Sequence, residues 1–477
     1  MPFMLRMMGQ NEYGLYSLVA SVITYLTVLD LGFGNAIVRY TAKFRAEGKI
    51  NEQYDMFGMF LILYSIVGVI TLLIGTGFYF NVDVLFDRAM TLEDLSKVRT
   101  MMLLMTVNLA FTFPMSVFGS IIVAYEDFVF QKLVNITRII LNPLVMIAML
   151  MLGYRAIGMT VITTLFNVVT LLVNCWYCFH KIHIRIYFGH FKWGFLKEVS
   201  IYSFWIFLNA IMDRIYWSSG QFILGMYKGA VAVAVYAVAI QLQGIYMSFS
   251  TAISGVFLPK VTAMVAKENN EKAISDLFIR MGRIQYAIMA FILTGFILFG
   301  KVFIYFWAGS DYDEAYYIAL LFFIPLTIPL IQNLGIIILQ ARNQMRFRCV
   351  LYVVIAFVSL GISIPLARLY GGIGCALGTV FALVVGQIIA MNIYYHRRIH
   401  IDIVRFWKEI FRMSLVPILL GGVGYCFLNM ITLTNAWELG LAILLFSLIY
   451  VPLFWYMGLN GYEQSLFREP LKRLLKI

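Results

Sequence analysis

The sequence predicts an all-α fold: a polytopic membrane protein of about 13 transmembrane helices, in two parallel-repeat lobes plus two C-terminal helices. Three observations predict it. Of the 477 residues, 62% are hydrophobic and only 13% are charged, far below the charged share of a soluble globular domain. The apolar residues come in separate runs of about 20, the length a helix needs to cross the hydrocarbon core. Lysine and arginine fall in alternate loops between those runs, the asymmetry that sets orientation in a membrane.

The expected spans are 14–36, 56–80, 100–124, 134–152, 157–179, 200–224, 231–257, 284–306, 315–340, 349–367, 372–395, 413–432 and 437–457. One set of loops carries Arg39, Lys43, Arg45 and Lys49, then Lys132, then Lys181 to Lys197, Lys260 to Arg283, Arg342 to Arg348, Arg397 to Arg412, and finally Arg468 to Lys476. These are expected on the cytoplasmic side, the C-terminus with them. The opposite loops carry Asp83, Asp87, Glu93, Asp94, Asp311, Asp313 and Glu314. The segment Met1 to Asn11 has no signal-peptide pattern, yet this count puts it outside. One further helix is therefore expected to precede Met1.

The chain matches itself weakly at an offset of roughly 220 residues. Tyr16 falls on Tyr236 and Arg39 on Pro259, and Ala156-Ile157-Gly158 pairs with Gly372-Ile373-Gly374 at a slightly shorter offset. An offset covering six helices keeps both copies in the same orientation, which makes them parallel repeats. The expected organisation is an N-terminal lobe over 1–179 with five helices and its first one missing, a cytoplasmic inter-lobe loop over 180–199, a C-terminal lobe of six helices over 200–396, and two extra helices with a cytoplasmic tail over 397–477.

Several function classes are excluded. The net charge of +12 is spread over short loops, not clustered on a soluble surface as nucleic-acid binding requires. Cys175, Cys178, Cys349, Cys375 and Cys426 lie in or beside apolar spans and read as small hydrophobes. The near P-loop Gly295 to Lys301 has bulky apolar residues between its glycines and Val302 where a hydroxyl is needed. His180, His183, His396 and His400 sit in basic loops without a ligand set, so no metal site is expected. No catalytic residue, enzymatic activity or cofactor is expected. Gly374 and Gly378 are spaced for close helix packing.

Ionisable and amide groups inside the spans carry more information, because each charge costs at least about 2.5 kcal/mol at a helix centre unless it meets water or a partner. Asp30 lies near the inner end of the first span, Arg138 near the inner start of the fourth, and Asp213 with Arg214 at the middle of 200–224. Adjacent helical residues point about 100° apart, so Asp213 and Arg214 each look to other partners. Asn108, Asn167, Asn174, Asn209, Gln221, Gln241, Gln243, Gln332, Asn333 and Gln387 add polar amides. Together they suit a water-filled cavity.

The stretch Gly9-Gln10-Asn11-Glu12-Tyr13-Gly14-Leu15-Tyr16, then Leu29-Asp30-Leu31-Gly32-Phe33-Gly34 and Val38-Arg39-Tyr40-Thr41-Ala42 resembles polysaccharide biosynthesis proteins of the O-antigen flippase type. These belong to an exporter superfamily with multidrug extrusion transporters and lipid II flippases. Phe222 to Gly225, Val235 to Ala239 and Phe257-Leu258-Pro259-Lys260 resemble the corresponding second-half pattern. The resemblance spans essentially the whole chain and implies two six-helix lobes, commonly with two more helices, working by alternating access. Gln221 stands where relatives often carry an acid; if that acid serves ion coupling, either Asp213 substitutes for it or the coupling differs in this chain.

On this resemblance the chain is expected to flip a lipid-linked (polyprenyl-diphosphate) oligosaccharide across the bacterial cytoplasmic (inner) membrane. Arg39, Arg138 and Arg214 would meet the phosphates, Asn209 and Gln241 the sugars, and Asp213, Asp30 and Gln221 would serve H⁺ or Na⁺ coupling. Membrane lipids and glycan polymerase or ligase enzymes are the expected partners, and nucleic acid is not. The alternatives are an ion-coupled multidrug antiporter of the same fold, which would favour cavity acids, and a membrane polymerase or glycosyltransferase, which would need a catalytic acid–base set.

Overall fold

The computed structural model describes residues 2–188, 193–255, 264, 271–342, 344–428, 430, 433–465 and 468. Every regular element among them is helical. In chain order these are α1 (Pro2–Met8), α2 (Gln10–Leu26), α3 (Phe33–Ala46), α4 (Ile50–Phe86), α5 (Leu92–Ala124), α6 (Phe128–Met151), α7 (Ala156–His180), α8 (Trp193–Tyr227) and α9 (Ala230–Gly255). They continue with α10 (Glu271–Trp307), α11 (Asp313–Ile331), α12 (Leu334–Ala341), α13 (Arg346–Leu383), α14 (Met391–Arg397), α15 (Ile403–Leu428) and α16 (Ala436–Met457).

Among the described residues, 11 helices are long and apolar enough to cross a membrane. One of these, Arg346–Arg397, is two helices joined at Gly371, whose φ of 60° and ψ of −134° no helix interior adopts. The 35-residue α8 covers the span expected at 200–224 and carries Asp213 and Arg214 at its middle. Each expected span thus has its helix. The second-half motif Phe257 to Lys260 lies outside the described residues.

Three loops differ from expectation. The first span is not continuous: α2 ends in a 3-10 turn over Thr27–Asp30, and Leu31 (φ 54°) and Gly32 (φ 71°) are both left-handed before α3 begins. Leu31 pays a steric cost there that glycine does not. The loop expected after Phe80 is largely helical, because α4 runs 37 residues to Phe86 and α5 starts at Leu92 with a Thr91–Asp94 capping box. The charged segment before residue 284 is helical from Glu271, so Arg283 sits inside α10 and is buried.

The chain forms two compact units, Met1–Ala237 with Ala367–Gly372, and Val238–Leu366 with Ile373–Ile477. In the first unit, small residues let helices approach closely, the way helices associate where lipid is as apolar as leucine. Pro114 has no N–H, which frees the Ala110 carbonyl one turn back in α5. Gly68 of α4 packs onto that carbonyl, which a Cβ would meet at 2.7 Å. Gly75, two turns on, packs likewise against Thr106. A Cβ on Gly14 of α2 would lie 1.8 Å from the Ala230 carbonyl oxygen, and one on Gly225 of α8 would lie 2.5 Å from Leu18. The outward face of α6 is apolar and exposed at Leu133, Ile136, Ile140 and Leu144, as a lipid-facing helix requires.

In the second unit, Gly378 packs against Ser363, whose Oγ a Cβ would meet at 2.4 Å. That is the close packing its spacing with Gly374 suggests. Arg283 is tied to Glu463 (Nε to Oε1 2.5 Å, Nη2 to Oε2 2.9 Å), to Glu409 (2.6 Å) and to the Gly458 carbonyl (3.1 Å). One guanidinium thereby holds α10, α15 and the segment after α16 together.

Candidate functional site

A row of polar side chains runs through the apolar interior of the first unit. On α5, Asn108, Thr112, Ser116 and Ser120 recur every fourth residue and are all half-buried, which places them on one face of the helix. From α7, the Asn167 amide donates to Asn108 Oδ1 at 3.0 Å and to Thr112 Oγ1 at 2.8 Å. One turn along α5, the Ser116 hydroxyl comes within reach of Tyr64 on α4. The Tyr64 hydroxyl donates to Asp30 Oδ1 at 2.5 Å.

Tyr64 is fully buried and held by rings: it stacks on Phe113 (6.2 Å, 12°) and meets Phe33 edge-on (5.8 Å, 73°). The break between α2 and α3 turns Asp30 toward it. Asn174, two turns beyond Asn167 on α7, keeps its Oδ1 buried without a hydrogen-bond partner. A buried acceptor left unpaired costs about 1–3 kcal/mol, so the row is not saturated. It is made of hydroxyls and amides with one carboxylate. Such groups exchange hydrogen bonds with water or sugar hydroxyls, and the carboxylate can take up a proton.

The other residues singled out from the sequence fall as follows. Arg39 is exposed on α3, its guanidinium 5.7 Å from the Tyr40 ring. Arg138 is half-buried on the packed stripe of α6, one turn before Asn142, whose Oδ1 is buried and unpaired. No hydrogen bond or ion pair from the described residues reaches Arg138 or Arg214. Asp213 and Arg214 are both exposed on α8, a helix that packs along α2 and against the turn carrying Asp30. Gln221 is half-buried on the same helix. The side chain of Asn209 lies outside the described residues. Gln241 belongs to the second unit, where its Oε1 is buried and unpaired.

Sequence reasoning missed Tyr64, because an isolated tyrosine in an apolar run reads as an interfacial anchor. It also assigned no role to Glu12. That carboxylate is buried, accepts from Lys97 Nζ at 2.6 Å and caps the Ala156 N–H at the start of α7 at 3.2 Å. Beside it, Asn11 donates to Asp94 at 2.8 Å. The motif around residue 12 therefore fastens the ends of α2, α5 and α7. At the basic end, the Lys49 ammonium beside exposed Glu47 (2.7 Å) holds its carboxyl below the usual range. All five cysteines are free thiols, and among the described residues no three His, Cys, Asp or Glu gather as a metal site.

Residues 1–265 match the family described as polysaccharide biosynthesis protein. Over 316 residues the chain is 21% identical to the uncharacterized membrane protein EpsK of Bacillus subtilis (strain 168), a match covering 65% of this chain and 62% of EpsK, so it spans less than two thirds of that curated relative. Its fold is similar to that of the lipid II flippase MurJ in an inward closed conformation, with a TM-score of 0.70 at 16% identity over 95% of this chain and 96% of that one. It is also similar to an inward-facing multidrug resistance MATE family transporter of the MOP superfamily, with a TM-score of 0.67 at 16% identity over 85% and 94% of the two chains. At such identities the likeness concerns the fold. The family match covers more than half of the chain, which is a multi-pass membrane protein and belongs to the polysaccharide biosynthesis protein family.

Proposed function

We propose that this chain is a flippase that carries a polyprenyl-diphosphate-linked oligosaccharide across the bacterial cytoplasmic membrane for surface polysaccharide synthesis, O-antigen among the candidates. The observation that carries the reading is the polar row Asn167, Asn108, Thr112, Ser116, Tyr64 and Asp30 inside otherwise apolar helices. Sugars are recognised by neutral amides, hydroxyls and aromatic rings, whereas a cationic drug calls for carboxylates. This row has one carboxylate, and its hydrogen bond to Tyr64 already engages it.

The diphosphate needs cations, and Arg39, Arg138 and Arg214 are arginines of the first unit carried on α3, α6 and α8. Guanidinium geometry matches phosphate oxygens in pairs. Asp30 and Asp213 are the groups through which H⁺ or Na⁺ would couple, with Gln221 two turns beyond Asp213 on α8. Asn209 and Gln241 would add sugar contacts. The two sequence repeats would serve as the moving lobes. The basic loops and the C-terminus would face the cytoplasm, and polymerase or ligase enzymes would take the product on the outer face.

The test is reconstitution of the full chain in proteoliposomes with a lipid-linked oligosaccharide, read by lectin access to the sugar on the far leaflet. Protein-dependent translocation is expected. Absence of translocation together with protein-dependent efflux of a cationic dye would overturn the proposal in favour of a drug exporter.

A further inference from the structure

The chain after α7 and the chain after α14 are two copies of one short element. Lys181-Ile182-His183-Ile184-Arg185-Ile186 aligns without a gap on Arg398-Ile399-His400-Ile401-Asp402-Ile403, and Tyr177 on Tyr394, at an offset of 217. The backbone repeats as well. The N–H groups of Lys181 and Ile182 both donate to the Tyr177 carbonyl (2.9 and 3.2 Å), and that of Ile184 to Cys178 (3.2 Å). In the second copy Arg398 and Ile399 donate to Tyr394 (2.9 and 3.3 Å), and Ile401 to Tyr395 (3.0 Å). His183 and His400 are both left-handed, with φ of 57° and 59°, a conformation that histidine enters more readily than most residues. We propose that this repeated element docks on anionic phospholipid headgroups of the leaflet it faces, through Lys181 and His183 in the first unit and Arg398 and His400 in the second.

The shared backbone sorts the side chains. Ile184, Ile399, Ile401 and Ile403 are buried, while Lys181, His183, Arg185, Arg398 and His400 between or beside them are exposed. Neither copy hangs free of its unit. Tyr187 N–H donates to the Tyr54 carbonyl at 3.3 Å, and Gly58 makes room for that stretch, since a Cβ there would lie 1.9 Å from the Tyr187 oxygen. In the second copy the Ile399 carbonyl accepts from Arg342 (3.2 Å) and the Asp402 N–H donates to Ser275 (2.9 Å). The outward groups are therefore held in place before a ligand arrives, which lowers the ordering cost of binding.

The surroundings select a lipid surface. Trp176 and Phe179 are exposed on the last turns of α7, and Ile393 and Val404 flank the second copy, exposed likewise. Apolar surface thus gives way to a cation and an imidazole within a few residues, the order of layers from hydrocarbon to headgroup. An acidic protein would meet the cations but leave the apolar surface uncovered. The loop charges put both copies at the cytoplasmic leaflet, as proposed above, and the cargo plays no part. The copies differ at one outward position, where Arg185 is replaced by Asp402, whose carboxylate caps α15 through the Arg405 N–H at 3.0 Å. Each cation near an anionic leaflet is worth about fivefold in affinity, so the first copy should bind more tightly.

The full chain in detergent, without oligosaccharide, is titrated with phosphatidylglycerol or phosphatidylcholine and bound lipid is counted by native mass spectrometry. Phosphatidylglycerol should be preferred. Removing both cations of the first copy, Lys181→Gln with Arg185→Gln, should weaken it about 25-fold, and Arg398→Gln about fivefold. Lys43→Gln with Lys132→Gln removes two exposed cations elsewhere on the first unit and should cost far less. Equal binding of both lipids overturns the proposal. So does unchanged phosphatidylglycerol binding to the Lys181→Gln, Arg185→Gln protein, which would leave the row to an acidic protein. An equal loss in the Lys43→Gln, Lys132→Gln protein overturns it too, by showing diffuse attraction in place of a docking surface.

Discussion

The Tyr64 hydroxyl donates to Asp30 across a break in the first membrane span, and the two residues are 34 positions apart in the chain. The break is what makes this possible. A continuous helix from Gln10 to Ala46 would carry no left-handed residues, whereas Leu31 and Gly32 reverse the local backbone just after Asp30. Tyr64→Phe keeps the ring stacked on Phe113 and removes the donor alone. Stability should fall by about 1–3 kcal/mol, the cost of stranding a buried acceptor, and Asp30→Asn in the Tyr64→Phe background should cost less than it does alone. Thermal unfolding of the four proteins in one detergent measures both. Independent, additive effects would show that the hydrogen bond contributes nothing and that Asp30 is satisfied by water.

Gly14 and Gly77 make a matched pair for the packing argument. Alanine at 14 puts its Cβ 1.8 Å from the Ala230 carbonyl, against backbone that cannot swing aside, while a Cβ at 77 meets nothing within 4 Å. Gly14→Ala should therefore destabilise by about 1–3 kcal/mol as an overpacked contact. Gly77→Ala, inside α4, should gain about 0.5–1 kcal/mol of helix stability. The comparison is read as detergent-resistant protein remaining after heating. Similar gains at both positions would mean that helix propensity, not close approach, governs these two glycines.

The Arg283 cluster predicts a stronger effect. Two carboxylates share one guanidinium, and Glu463 is fully buried. Breaking a buried pair from one side costs about 3–5 kcal/mol because the remaining charge is stranded. Arg283→Met should deplete folded protein, and adding Glu463→Gln should restore part of it. Membrane-fraction abundance and melting temperature are the readouts. A single mutant as abundant and stable as the wild type would show that water enters the cluster and hydrates the carboxylates.

What was legible in the sequence follows from the range of each interaction. Spans and loop charges are local, so composition alone reveals the helices and the basic loops around Arg45, Arg185 and Arg398. Asn108 and Asn167 stand out as amides in apolar runs. The hydroxyls of Thr112, Ser116 and Ser120 do not, although their four-residue spacing was there to be read. Tyr64, Glu12 and Arg283 escaped because their partners lie 34, 85 and 180 positions away, beyond any periodic pattern. The Leu31–Gly32 break escaped because a left-handed leucine is imposed by tertiary packing against the general preference of L-residues.

Arg214 carries the last prediction. It lies at the middle of α8, exposed, with no hydrogen bond or ion pair from the described residues. Holding a guanidinium at mid-membrane depth costs at least about 2.5 kcal/mol unless water or an anion satisfies it, so an aqueous, substrate-facing position accounts for it better than a lipid-facing one. If it meets the diphosphate, Arg214→Gln should abolish glycan translocation while membrane levels and melting temperature stay at wild-type values, since the residue is exposed and makes no hydrogen bond or ion pair with the described residues. Arg214→Lys keeps the charge but not the two-pronged geometry, and should transport at an intermediate rate. Asp213→Asn separates the neighbour's role: it should alter the dependence of transport on pH or Na⁺ and leave oligosaccharide binding in place. Disappearance of the Arg214→Gln protein from the membrane would identify a structural residue. Normal translocation by a normally abundant Arg214→Gln protein would remove it from the substrate path and leave Arg39 and Arg138 as the phosphate ligands to test.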